Sequence, residues 1–166
     1  SADFEYMHTT RIHPGAIAAG LDALRNGCTI VTDTNMARAG IRKNEIGRFG
    51  GSVECLIKDP KVAQVARASG GTRAMAAVDA AIPLLKGGIY VIGNAPTALL
   101  RLMELIRAGE AKPALVVGLP VGFVNAAESK NELVQMDIPH ISNVGRKGGS
   151  NVAASVINAL AIMAAE

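Results

Sequence analysis

Apolar residues fall into two rhythms along this chain. Continuous apolar runs of about five residues alternate with stretches of roughly 12 to 20 residues whose apolar positions recur every three or four. The short runs, at 28–32, 52–57, 89–92, 114–117 and 140–142, predict buried strands. The longer stretches predict helices. Pro14 is suited to the first position of one, and Ala16, Ile17, Gly20, Leu21 and Leu24 then share a face that ends at Gly27. Asp33 or Thr34 can cap a short helix, because each offers an oxygen to unpaired backbone N–H groups. Asp59-Pro60 turns into another helix, and 72–85 forms a further one that stops at Gly87-Gly88. Gly93-Asn94-Ala95-Pro96-Thr97 leads into a helix reaching Ala108. The last two helices are expected at 126–136 and 150–164.

Strands separated by helices pair in parallel through right-handed crossovers. Runs that are apolar throughout, rather than alternating, are expected where both faces of a sheet are covered. The predicted fold is therefore α/β, a three-layer, doubly wound and mainly parallel sheet. No repeat, linker or low-complexity tract divides the 166 residues, so they read as one domain. The chain is 49% hydrophobic but only 3% aromatic, so its core must be aliphatic and rich in alanine.

Composition excludes several functions. The net charge of +3 is mild, no basic arm is present, and aromatic platforms for bases are missing, which argues against nucleic acid. The most apolar stretch, 152–165, contains Ser155 and Asn158 and is short for a membrane span. Cys28 and Cys55 are too few for a disulfide framework or a zinc site, and they fit buried thiols in a reducing, cytoplasmic setting. No histidine pair has metal-ligand spacing. His13 and His140 sit in helix-entry and apolar contexts that read as structural, and His8 lies in an irregular, charged segment.

Ligands of open α/β sheets bind beyond the carboxyl ends of the strands. Here those ends carry Thr32-Asp33-Thr34, Gly93-Asn94, Gly118-Leu119-Pro120 and Ser142-Asn143, each leading toward a helix N-terminus. Such positions favour an anionic group. Gly145-Arg146-Lys147-Gly148-Gly149-Ser150 adds two cations on flexible backbone but lacks phosphate-loop spacing. Arg73, after Gly70-Gly71-Thr72, stands in the first turn of a helix, where a cation opposes the dipole and calls for an acidic partner.

Taken together, six segments resemble the precorrin-8X methylmutase family, which includes the cobalt-precorrin-8 methylmutases. They are Ala2-Asp3-Phe4-Glu5-Tyr6, Ile30-Val31-Thr32-Asp33-Thr34-Asn35-Met36, Gly71-Thr72-Arg73, Gly93-Asn94-Ala95-Pro96-Thr97-Ala98-Leu99, Gly118-Leu119-Pro120-Val121-Gly122-Phe123-Val124 with Ala127-Glu128-Ser129-Lys130, and the Gly145 to Ser150 loop. They occur in family order over the whole chain. The resemblance implies a flavodoxin-like fold, a homodimer with sites near the subunit interface, and methyl migration between adjacent ring carbons of a late corrin precursor. The product would be hydrogenobyrinic or cobyrinic acid, with no metal or organic cofactor as reagent. The Ala-Asp-Phe-Glu-Tyr wording is somewhat closer to the cobalt-early branch. The family's His-Thr-(Ser/Thr) element would place its proposed proton donor two positions before Ser1, so the domain is expected to be incomplete at its N-terminus, with no catalytic residue in this chain.

A polyacidic tetrapyrrole asks for cations at its rim and aliphatic side chains against its ring. Arg73, Arg146, Lys147 and Lys130 are the rim candidates. Met36, Leu119, Val121 and Phe123 are the ring-face candidates, and Thr34, Thr72, Asn94 and Thr97 are candidates for hydrogen bonds to substrate. Two other readings use the same loops: a nucleotide-binding α/β enzyme built on the Gly93 and Gly145 turns, and a non-catalytic corrinoid-binding fragment.

Overall fold

The structure is a computed structural model and describes residues 1–166. Six strands form one sheet: β1 (Thr10–Ile12), β2 (Thr29–Thr32), β3 (Ser52–Glu54), β4 (Ile89–Ile92), β5 (Leu115–Gly118) and β6 (His140–Asn143). Their spatial order is β1-β6-β5-β4-β2-β3. All neighbours from β6 to β3 are parallel, and only β1 runs antiparallel, with Thr10 opposite Asn143 and Ile12 opposite Ile141. The five parallel strands, counted in chain order, follow the 2-1-3-4-5 order of flavodoxin-like sheets.

Nine helices surround the sheet: α1 (Tyr6–Thr9), α2 (Ala16–Arg25), α3 (Asn35–Gly40), α4 (Lys43–Gly47), α5 (Pro60–Ser69), α6 (Arg73–Ala81), α7 (Pro96–Arg107), α8 (Ala126–Val134) and α9 (Ser150–Ala165). Alternate residues of each strand enter opposite layers. Ile89 and Val91 pack with Ala16, Leu24 and Ile157 beneath α2 and α9. Tyr90 and Ile92 pack with Val78, Leu99, Leu102 and Leu133 beneath α6, α7 and α8. Small side chains let the helices approach closely, as Ala153, Ala154, Ala161 and Ala164 do on α9. The crossovers change face where strand order reverses, between β2 and β4. That reversal opens the crevice in which such sheets hold ligands.

Most elements match the pattern in the sequence, and the differences have physical causes. Strand β3 stops at Glu54, short of the expected residue 57. The helix expected over 72–85 ends at Ala81 and finishes in a 3-10 turn, Ile82–Leu84, at Pro83, which has no N–H to continue the ladder. Pro14 does not begin its helix: Gly15 is the N-cap and Ala16 the first helical residue. β1 and the single turn α1 were not foreseen, because three exposed strand residues carry no burial pattern to read. α4 is equally short, with only Ile46 buried.

Gly93 is fixed by close approach. A Cβ there would lie 2.5 Å from Ser150 Cα and 2.7 Å from Ser150 N, both backbone atoms of α9. Gly93→Ala is expected to destabilise the fold by about 1–3 kcal/mol, since backbone on both sides must move. A urea titration measures this; a change below about 0.5 kcal/mol would contradict the close approach.

Candidate active site

Polar groups are rare in this interior, and their placement is selective. Eight polar or charged residues are buried, and all but His140 gather around the carboxyl ends of the strands: Thr32, Asp33, Ser129, Lys130, Ser142, Asn143 and Ser150. A buried polar group requires partners, so each reports a specific local structure.

Asp33 closes the crevice at the strand-order reversal. Its Oδ1 accepts the N–H of Gly93 at 2.9 Å, and its Oδ2 accepts those of Asn94 and Ala95, both at 2.8 Å. These are the donors that open α7, which has no side-chain cap of its own. The turn that would cradle an anionic ligand is therefore filled by a carboxylate of the protein itself. Burial pushes the Asp33 carboxyl up, and the three N–H donors oppose that shift. This geometry removes the donors on which a nucleotide phosphate would rest.

Neighbouring contacts join the remaining loops into one rim. Thr34 caps α3 by accepting the N–H of Ala37 at 3.1 Å, and its hydroxyl lies 2.7 Å from that of Ser150. Gly149 N donates to Leu119 O at 2.9 Å, and Gly122 N donates to Arg146 O at 3.2 Å, which ties the 118–122 and 145–149 loops together. Gly148 fits against the carbonyls of Leu119 and Pro120, where a larger residue would collide. Thr72 caps α6, and its hydroxyl stands 3.3 Å from that of Thr97 on α7. The starts of α6 and α7 thus meet, with Arg73 as the first residue of α6 and Asn94 exposed two residues before α7.

The four candidate cations occupy different situations. Arg73 and Arg146 are exposed, and neither guanidinium is paired within the chain. Lys147 is already paired, at 2.6 Å with Asp3 and 2.8 Å with Glu5, which raises its pKa and lowers that of Asp3. The same N-terminal segment brings the Tyr6 hydroxyl to Gly148 O. Lys130 lies beneath the rim rather than on it. It is fully buried on α8 and donates to Asn143 Oδ1 at 3.0 Å and to the Lys147 carbonyl. Burial lowers its pKa to about 8.

The apolar candidates divide similarly. Met36 is 70% exposed, Phe123 87% and Val121 40%, whereas Leu119 is buried within the core beneath α9. Phe4, Met7, Val124 and Val144 add further exposed apolar side chains. Val121, Gly122, Phe123, Arg146 and Lys147 line a hollow of about 250 Å³. The largest hollow, about 660 Å³, lies at the opposite end of the sheet, between Gly27, Cys28, Thr29, Lys86 and Gly88. His13 and His140 also lie at that far end, with their rings 5.3 Å apart and His13 Nε2 3.5 Å from Asp137. No group of three or more His, Cys, Asp or Glu side chains is placed to hold a metal ion. Cys28 and Cys55 are unpaired.

Asp33, Lys130 and Leu119 are placed differently from the sequence reading, and Leu119, expected at a ring face, is buried in the core. Asp33 read as a local helix cap, but its donors lie sixty positions away. Lys130 read as a surface contact. A clue to Asp33 exists: a carboxylate at the end of an all-apolar strand must find donors, and the Gly93 turn presents a row of them.

Fold and site together define a doubly wound α/β protein whose ligand edge carries unpaired guanidiniums beside exposed aliphatic and aromatic side chains. The family profile of precorrin-8X methylmutase matches residues 1–163. The cobalt-precorrin-8 methylmutase of Priestia megaterium is 49% identical over 164 residues, covering 99% of this chain and 73% of that protein. The precorrin-8X methylmutase of Pseudomonas aeruginosa is 42% identical over 153 residues, covering 91% and 73%. The crystal structure of precorrin-8X methylmutase from Thermus thermophilus superposes with a TM-score of 0.91 at 47% identity, covering 99% of this chain and 80% of that one. The chain belongs to the precorrin-8X methylmutase family, isomerases of cobalamin biosynthesis.

Asp33→Asn keeps the shape but turns an N–H₂ group toward backbone donors, so it is expected to cost about 1–3 kcal/mol. Chemical denaturation measures the loss, and faster amide exchange at Asn94 and Ala95 locates it. Lys130 supplies a pH test. Its folded pKa, about 8, lies below the ordinary 10.5, so across that interval the unfolded chain holds the extra proton. Stability relative to Lys130→Met should therefore rise as pH increases from 8 toward 10.5, and a pH-independent difference would contradict the burial of a charged amine.

Proposed function

We propose that the rim formed by the 93–97, 118–122 and 145–149 loops, with the start of α6, binds a polyacidic tetrapyrrole. Residues 1–166, read as one domain, hold it for methyl migration between adjacent ring carbons. The substrate is precorrin-8X or its cobalt form, and the product hydrogenobyrinic or cobyrinic acid. The observation that carries this reading is the pair of guanidiniums, Arg73 and Arg146, left without partners on an edge that also exposes Met36, Val121 and Phe123. Guanidinium groups meet carboxylates with two parallel hydrogen bonds, and exposed apolar side chains match the face of a macrocycle.

The residues divide by reach. Arg73, Arg146 and Lys147 receive propionate and acetate carboxylates, with Lys147 exchanging its bonds to Asp3 and Glu5 for the substrate. Asn94, Thr97 and Thr72 offer hydrogen bonds at the meeting of α6 and α7, and Thr34 does so beside Ser150. Met36, Val121 and Phe123 contact the ring. Leu119 and Lys130 support the rim from beneath. Migration of a methyl group conserves the molecular formula, so the chemistry asks for a held tautomer and a well-placed proton.

The edge is open, and the hollow beside Phe123 holds about 250 Å³. A macrocycle on it would leave much of its surface in water. A second copy that also covers Phe123, Val124 and Met7 would enclose it, which supports a homodimer with sites near the subunit contact. No helix is long and apolar enough to cross a membrane. Two unpaired thiols suit the reducing cytoplasm in which we place the protein.

Titration with hydrogenobyrinic acid, followed by visible absorption, tests the reading directly. Tight retention of a nucleotide with no corrinoid response would overturn it. Arg73→Ala and Arg146→Ala should each raise Kd by roughly ten- to a hundredfold, the loss of about 1.5–3 kcal/mol from a charged hydrogen bond, with stability unchanged.

A further inference from the structure

Asp33 and Lys130 are the two charged side chains, His140 apart, that the fold buries. Their surroundings differ. Asp33 meets three N–H donors. Lys130 meets two neutral oxygens, Asn143 Oδ1 and the Lys147 carbonyl, and no carboxylate of the chain pairs with it. An ammonium has three donors, so one remains unspent. Asn143 completes the arrangement: its Nδ2 also donates to the Lys147 carbonyl, at 3.0 Å, and to Val144 O, at 3.2 Å. The backbone carrying Arg146 and Lys147 is thus clamped from below by a cation.

A buried cation without a counter-ion is unfavourable in an isolated fold. An apolar side chain of similar length would fill the slot without that cost. The charge lies directly under the loop that exposes Arg146 and that leads into α9, a sixteen-residue helix whose N-terminus has no side-chain cap. Nearby acids do not compensate it, since Asp3 and Glu5 are engaged with the Lys147 amine. Positive features therefore stack in one place, and within the chain nothing balances the innermost.

We propose that Lys130 is a positioning residue whose uncompensated ammonium is the buried counter-charge for a substrate carboxylate seated on the 145–149 loop, acting through that loop without touching the substrate. The inference rests on the reading of the rim as a site for a polyacidic tetrapyrrole. Under a loop excluded from water, a charge is screened far less than one on the surface, so it acts across the thickness of one backbone layer.

Asn143→Asp adds the missing counter-charge, at the loss of the two Nδ2 hydrogen bonds to the Lys147 and Val144 carbonyls, so it is read beside Lys130→Met, which keeps Asn143. Asn143→Asp gives Lys130 an in-chain carboxylate in the space of the amide, and Lys130 can still bridge to the Lys147 carbonyl. The expected result is a rise of about tenfold or more in Kd for hydrogenobyrinic acid, with the urea midpoint of the free protein measured beside it. Lys130→Met should weaken binding comparably, and Lys130→Arg should restore part of it. Wild-type affinity in a folded Asn143→Asp protein would overturn the proposal. If that variant does not fold, wild-type affinity in Lys130→Met overturns it instead. Failure of the unmodified chain to bind the corrinoid would sink the reading of the rim itself, which separates the two conclusions.

Discussion

The Asp33 carboxylate and the three backbone N–H groups of the Gly93 turn form the interaction on which this structure most depends. It spans the point where strand order reverses, which in sheets of this kind is an open crevice. By filling it from β2, the chain fixes the start of α7, the position of Gly93 against α9, and through Thr34 and Ser150 the start of α9 as well. A carboxylate held by three donors also sets chemical character. The N–H groups of the turn are already spent on a carboxylate of the chain.

The cations of this edge are sorted by what they already satisfy. Lys147 is engaged with Asp3 and Glu5, Lys130 supports the loop from within, and Arg73 and Arg146 remain without partners. The proposed binding of a molecule with many carboxylates rests on distributed cations rather than a single cradle. An aliphatic core suits this arrangement. Alanine-rich helices lie close to the sheet, and the larger apolar side chains, Phe4, Met7, Met36 and Phe123, remain outside for contact.

Much of this was legible in the chain itself. Five parallel strands and the larger helices follow from apolar runs of strand length separated by helical periodicity, and the cap of α3 follows from the side-chain oxygen of Thr34. The short pieces α1, β1 and α4 were not legible, because three to five residues with little burial leave no period to detect. Among the site residues, Thr34, Thr72, Asn94 and Thr97 stand where strand ends and helix starts place them. Leu119 in its exit loop and Lys130 on its helix looked like substrate contacts of the same kind as Val121 and Lys147, yet the first pair is buried. Local sequence does not distinguish them, since burial there depends on how two loops distant in sequence close over each other.

The sequence by itself determined the class of fold, the residues that end its strands and, through six ordered motifs, the family. Each rests on local periodicity or on residue types at fixed spacing, which survive without knowledge of contacts. Tertiary structure decided which polar groups are spent on the protein and which stay available. Asp33 finds its donors sixty residues away, and Lys147 its acids more than a hundred and forty away. Whether a charge is free or satisfied is a property of distance in space, and only folding sets it.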